Sequence, residues 1–270
     1  MNRTTLSLFV LLTFAVDSIH AQDLPKTQPK ILTIWREQVK AGQAAAHGKH
    51  EAGFVAAYEK AKSPDHYLAM TSMTGLPEAW YVIPAESYTA IAETMKREDK
   101  DPVLSARLTK LVSGDAKYID SARLIQAHAR EDLSVGEFPD LARARFFTIS
   151  ILLVRPGYEA QFEEGAKTFG AARMKAAPKH GFRVYQVVVG MPSSTFIVFS
   201  SVEKYGDFDE WTAAFQATLK ALTPQEMEAR QKFQREGLIS SEMNRFRLDP
   251  RQSYVSKETR AKDPEFWSPK

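Results

Sequence analysis

Ile31-Leu32-Thr33-Ile34-Trp35-Arg36-Glu37-Gln38-Val39, followed by Ala41-Gly42, and Phe147-Thr148-Ile149-Ser150-Ile151-Leu152-Leu153-Val154, followed by Arg155-Pro156-Gly157, are the two stretches whose comparison decides the fold. Each is a β-branched and aromatic run stopped at a glycine that can take a turn conformation, so each reads as a strand. They align at a constant offset of 115 positions, which places Thr33-Ile34 on Thr148-Ile149, Gly42 on Gly157, Gly75 on Gly190 and Pro77 on Pro192. The chain is an internal duplication, and each copy serves as a control for the other.

Outward from each first strand the pattern repeats. Ala46, Phe54, Ala57, Tyr58 and Ala61 in one copy, and Phe162, Ala166, Phe169 and Met174 in the other, recur with helical spacing. Both stretches predict amphipathic helices that stop near Ser63-Pro64 and Pro178, because proline disfavours helical geometry in the residue before it. Residues 66–73 with 80–83, and 182–189 with 195–199, then read as hairpins around Gly75/Pro77 and Gly190/Pro192. Tyr88 matches Tyr205, and Ile91 matches Phe208, at an offset of 117, so two extra residues sit in a loop of the second copy. Thr223-Pro224-Gln225-Glu226 is a capping-box helix start, and Asp101-Pro102 opens the equivalent helix. Residues 123–128 and 243–248 close the copies as last strands.

Asn2 and Arg3 precede an apolar run from Leu6 to Val16 that ends at Ile19-His20-Ala21, so residues 1–21 read as a secretory signal peptide and the protein as exported, periplasmic or secreted. The expected organisation is an extended leader at 22–30, repeats at 31–130 and 146–248, a linker at 131–145, and an extended polar tail at 249–270 that Tyr254, Phe266 and Trp267 can pin. Cysteine is absent, which excludes disulfides, thiolate metal sites and cysteine nucleophiles. Net charge is +3 with opposite charges interleaved, as in Lys96-Arg97-Glu98-Asp99-Lys100-Asp101, so nucleic acid is not an expected partner. No later apolar run is long enough to span a bilayer, so no membrane partner is expected once the signal is removed.

Each copy reads strand, helix, strand, strand, helix, helix, strand, the split β-α-β arrangement of a ferredoxin-like unit. One such sheet leaves a face uncovered, and a fused second copy covers it. The fold class is therefore α+β: two tandem ferredoxin-like repeats packed sheet to sheet as an intramolecular dimeric α+β barrel, expected to be a monomer. The chain resembles the dimeric α+β barrel superfamily in fused form, and its NIPSNAP-type and antibiotic-biosynthesis-monooxygenase-like branches in particular. The nearest local match is His66-Tyr67-Leu68-Ala69-Met70-Thr71-Ser72-Met73-Thr74-Gly75 with Glu78-Ala79-Trp80-Tyr81, which is similar to stretches of secreted bacterial members. The resemblance implies a cavity between a sheet and its own helices. It also implies a choice among cofactor-free monooxygenases, haem-binding or haem-degrading proteins, isomerases and stress proteins.

The first copy is the more polar. Trp35, Arg36, Glu37 and Gln38 stand where the second copy has Ser150, Ile151, Leu152 and Leu153, and alternation puts Trp35 and Glu37 on one face and Arg36 and Gln38 on the other. Polar side chains in an apolar sheet need partners or a ligand, so the amino-terminal repeat is the expected site of a pocket for a small apolar or aromatic molecule. The alternative for Arg36 and Glu37 is pairing with charged residues at the barrel seam or rim. His66, Met70, Trp80 and Tyr81 complete the candidate lining, the last three being equally suited to a core. His47, His50 and Glu51 share a helix side and could ligate a metal. They lack the HExxH order and have Phe162, Gly165 and Ala166 as counterparts, and the flanking Gly48-Lys49 points to a solvated face, so no metal is expected. His66 and His180 are the histidines that the resemblance offers to haem or to general-base work, with strand edge and exposed turn as their plainer readings; no other cofactor is called for. Phosphate loops, GxSxG elbows and paired-carboxylate signatures are missing. Three readings follow: a small-molecule binder, a cofactor-independent monooxygenase or haem-handling enzyme, and a structural interaction protein.

Overall fold

The computed structural model describes residues 24–268; the export signal expected at 1–21 lies outside the described residues. Eight strands carry the fold: β1 (Ile31–Val39), β2 (Leu68–Ser72), β3 (Glu78–Ala85), β4 (Ile119–Ala129), β5 (Phe146–Val154), β6 (Arg183–Val189), β7 (Thr195–Val202) and β8 (Leu238–Leu248). They form one closed antiparallel barrel in the order β1-β3-β2-β8-β5-β7-β6-β4. Within each half the order is the ferredoxin-like one, β4-β1-β3-β2 and β8-β5-β7-β6. The seams between halves are short: Met70, Thr71 and Ser72 of β2 face Leu248, Arg247 and Phe246 of β8, and β4 meets β6 from Gln126↔Val189 to Ala129↔Tyr185 with one register shift. The last strands begin several residues earlier than the sequence predicts. Polar Asp120-Ser121 and Ser240-Ser241 hide a strand signal that pairing with β1 and β5 supplies.

Outside the barrel lie α1 (Ala44–Ala61), α2 (Tyr88–Lys100) and α3 (Pro102–Asp115) of the first repeat, and α4 (Glu159–Ala176), α5 (Phe208–Lys220) and α6 (Pro224–Glu236) of the second. Their starts follow from local chemistry. Ser87 Oγ accepts from the Ala90 amide, Asp101 accepts from Val103 and Leu104 ahead of Pro102, and Thr223 with Glu226 closes the predicted capping box.

Two layers of packing result. Inward-facing Ile34, Met70, Trp80, Ile125, Ile149, Ile197 and Phe246 fill the barrel. Outward faces pack against helices, around an apolar cluster of Val154, Phe162, Val184 and Phe196 in the second half, and around a mixed polar and aromatic layer in the first. The repeated glycines have a physical reason. Gly190 sits at φ +92°, and a Cβ there would stand 2.1 Å from the Leu124 carbonyl oxygen across the β4–β6 seam. Its counterpart Gly75, at φ +74°, abuts Asn244 of β8 across the other seam. Each hairpin turn therefore buttresses the opposite half.

The linker packs on the second repeat through Leu133 and Val135, the latter bridged to Phe182. The tail is not extended throughout: α7 (Lys257–Lys262) and α8 (Pro264–Trp267) form in it. Tyr254 bridges to Tyr67, and buried Trp267 donates its indole hydrogen to the Ala142 carbonyl, so aromatic anchors fix the tail across both halves.

Candidate functional site

The outward face of the first half-sheet holds a polar cluster. Glu37 (β1) is 1% exposed; its Oε1 accepts from the Trp35 indole at 2.7 Å, and its Oε2 lies 2.8 Å from His47 Nε2 of α1. One turn on, Glu51 is 4% exposed, with Oε1 at 3.8 Å from the same histidine nitrogen and no hydrogen bond to that oxygen. His50 Nε2 stands 3.0 Å from the Leu111 carbonyl and 2.9 Å from Asp115 Oδ1 at the end of α3, and a nitrogen between two acceptors has at most one hydrogen to donate. With the hydrogen directed at Leu111, Asp115 Oδ1 is left without one. Tyr81 (β3) covers the cluster and donates to Gln252 of the tail at 3.0 Å, and Gln252 is itself held by Asp249.

Three carboxyl groups confined with two imidazoles away from water cannot all ionise cheaply. Burial first, and then repulsion from Glu37 and Asp115, push Glu51 up to about 9 from an ordinary 4.5, with the Tyr81 hydroxyl acting in the opposite direction. Asp115 is raised by burial and by Glu37, and Tyr81 by burial and by Glu51 and Glu37.

The second repeat shows what the same position looks like without this chemistry. At the offset of 115, Glu37, His47, Glu51 and Tyr81 become Leu152, Phe162, Ala166 and Phe196. Phe162 and Phe196 stack with ring centroids 4.1 Å apart inside an apolar cluster. The backbone is common to both layers, and at these four positions only the first carries ionisable groups; the buried charge of the second layer is elsewhere, at Arg173 of α4, whose guanidinium lies over Phe169 and Trp211.

The expected solvated face on α1 is therefore a buried one. Gly48-Lys49 does mark an edge, but His47 and Glu51 turn inward beneath Glu37, Tyr81 and the tail. Of the predicted pocket residues, Trp35, Glu37 and Tyr81 meet here. Arg36 lies on the other face, in a bidentate pair with Glu78 (3.0 and 2.6 Å), 3.6 Å from Glu242 and with its guanidinium over the Trp80 ring, which is the seam pairing weighed for it in the sequence. Gln38 is a half-buried neighbour on that face. Trp80 is core, and its indole donates to Glu78. His66 is buried with its ring 5.0 Å from that of Tyr254. His128 lies in β4 and meets the Tyr88 hydroxyl at 2.8 Å. Asp115 and Gln252 had no sequence signal, since neither belongs to a pattern that includes Glu51.

A separate cavity of 360 Å³ opens at the barrel end where β1 begins. Leu32, Met70, Val82, Phe147, Tyr185 and Phe199 form its barrel side. The leader contributes Leu24, Pro25 and Pro29, the linker Phe138 and Leu141, and α5 Trp211. His180 and Arg183 are at its polar margin, and Arg183 has a buried Nε without a hydrogen bond. Of the predicted lining only Met70 reaches it.

No family model matches the chain, and no curated protein matches it. Solved structures do. An anthrone oxidase-like protein superimposes with a TM-score of 0.53 at 12% identity, covering 82% of this chain and 92% of its own. A candidate monooxygenase from Fusobacterium nucleatum subsp. nucleatum ATCC 25586 gives 0.52 at 9% identity, covering 82% and 92%. A chlorite dismutase from Candidatus Nitrospira defluvii gives 0.47 at 12% identity, covering 84% and 93%. At these identities the likeness is one of fold. The chain is an α+β barrel of two fused ferredoxin-like repeats, an architecture that it shares with dimeric α+β barrel proteins.

Proposed function

We propose that the protein binds a small, largely apolar molecule at the barrel end, as a monomer exported from the cytoplasm. The observation that carries this reading is the 360 Å³ cavity, whose wall combines both repeats, the leader and the linker. Its volume and apolar wall suit a compact aromatic ligand, with Arg183 placed to receive a polar substituent. This moves the ligand away from the layer above the first half-sheet, where Glu37, His47, Glu51 and Tyr81 are packed and buried. A barrel closed within one chain supports the monomer, since both sheet edges are already paired. No described helix is long and apolar enough to cross a membrane. Export rests on the signal-like sequence of residues 1–21, and amino-terminal sequencing of the mature protein should start at Gln22.

The names of the two neighbours with the higher TM-scores supply an alternative at the level of reaction class, oxidation of a bound aromatic by oxygen. Oxygen consumption with anthrones and phenols is its assay. Of the two histidines considered for haem, His66 is packed against Tyr254 and does not line the cavity, so only His180 could ligate iron there. With no second histidine among the described residues of the wall, we expect no shift or sharpening of the Soret band when haem is added to the protein, compared with haem in buffer.

The binding test is titration with 8-anilinonaphthalene-1-sulfonate, followed through its emission and through Trp211 quenching. The expected result is saturable binding at one site per chain, weakened at least tenfold by Leu32→Trp, which fills the cavity, in a variant whose circular dichroism matches the parent. Absence of saturable binding, or binding indifferent to a folded Leu32→Trp, overturns the proposal.

A further inference from the structure

We infer that the first repeat holds one divalent transition-metal ion among Glu37 Oε2, His47 Nε2 and Glu51 Oε1. The three ligand atoms lie within 4.8 Å of one another, with the histidine nitrogen 2.8 and 3.8 Å from the two carboxylate oxygens. Metal bonds of about 2.0–2.2 Å put neighbouring donors about 3–3.6 Å apart, so small side-chain adjustments close the set around an ion.

Glu51 is the second and independent sign of a missing partner. Its Oε1 is buried, lacks a hydrogen bond, and stands 3.8 Å from His47 Nε2. A buried carboxyl oxygen left without a partner is costly in a native core whether or not the group carries its proton, and a bound cation, which displaces that proton, satisfies it directly. The neighbours have the form of an outer shell. The Trp35 indole fixes Glu37 through its other oxygen, which orients the ligating one, and Tyr81 with Gln252 closes the site from water. The mixed imidazole and carboxylate set favours zinc, manganese or iron(II) over magnesium and calcium, which prefer oxygen alone. No equivalent set exists in the second repeat, where Leu152, Phe162 and Ala166 stand at those positions. His50 and Asp115 form a neighbouring pair, and the one-ion site does not need them.

The test uses the full mature chain, stripped by chelation and titrated with Zn²⁺ by calorimetry. The expected result is one ion per chain, with affinity falling at least about 100-fold in His47→Gln and in Glu51→Gln, beyond the 10–100-fold that outer-shell partners typically carry. His180→Ala, remote from the cluster, should bind as the parent does. Should either ligand variant misfold, anomalous scattering at the zinc edge from crystals of the unsubstituted chain decides the matter. A peak within bonding distance of His47 and Glu51 supports the assignment. No binding, binding unaffected in folded ligand variants, or a peak elsewhere overturns it.

Discussion

The metal-free protein is expected to lose stability as the pH rises from about 5 to 9, and Glu51→Gln to flatten that decline. In the folded chain Glu51 holds its proton up to about 9, whereas in the unfolded chain it releases it near 4.5. Between those values the folded state binds the extra proton, so raising the pH favours unfolding, and the slope approaches at most about 1.4 kcal/mol per pH unit. Below the lower value both states are protonated and the effect vanishes. Glu37 and Asp115 repel the same charge, so the proton belongs to the cluster as a whole. Glutamine keeps the shape of the protonated acid but cannot ionise. Thermal unfolding in chelator across that range should show a steep fall for the parent and a shallow one for the variant; parallel curves would show that Glu51 is already charged in the fold.

Replacing Trp80 with alanine is expected to cost about 3–5 kcal/mol, the range for buried Trp and Phe truncations. Trp80 is 1% exposed and joins the two half-sheets inside the barrel, packing edge-on against Phe246 at 5.5 Å and Phe199 at 6.4 Å. Its indole hydrogen goes to Glu78, whose carboxylate also receives Arg36, and that guanidinium rests 5.1 Å from the indole centroid. Truncation opens a cavity and removes one donor from a buried carboxylate, two separate penalties. Denaturant titration should give a lower midpoint with an unchanged slope. A loss below about 1 kcal/mol would mean that the halves do not depend on this contact.

The scaffold was the legible part of the sequence because duplication and strand alternation are local. Alternation alone separated Glu37 from Arg36, and the structure sends them to opposite faces. Helical spacing likewise put His47, His50 and Glu51 on one side of α1. Their burial was not legible, because it is made by Tyr81, Asp115 and Gln252 from three distant parts of the chain. Gly48-Lys49 suggested solvent, and locally that reading is sound; the tail, which returns through Gln252, is what closes the site. The cavity was hidden for the same reason, since its wall draws on leader, linker and both repeats, and such joint surfaces leave no periodic trace.

If the buried charges of the first repeat serve a metal ion, the fold should not need them. The second repeat supplies the replacement set, so the decisive measurement is the stability and Zn²⁺ affinity of the combined variant Glu37→Leu, His47→Phe, Glu51→Ala, Tyr81→Phe. The expected result is a folded chain, at least as stable to denaturant as the metal-free parent, that no longer binds zinc at this site. An unfolded chain, or one several kcal/mol less stable, would show that the cluster serves the fold, and retained zinc binding would show that the ion sits elsewhere.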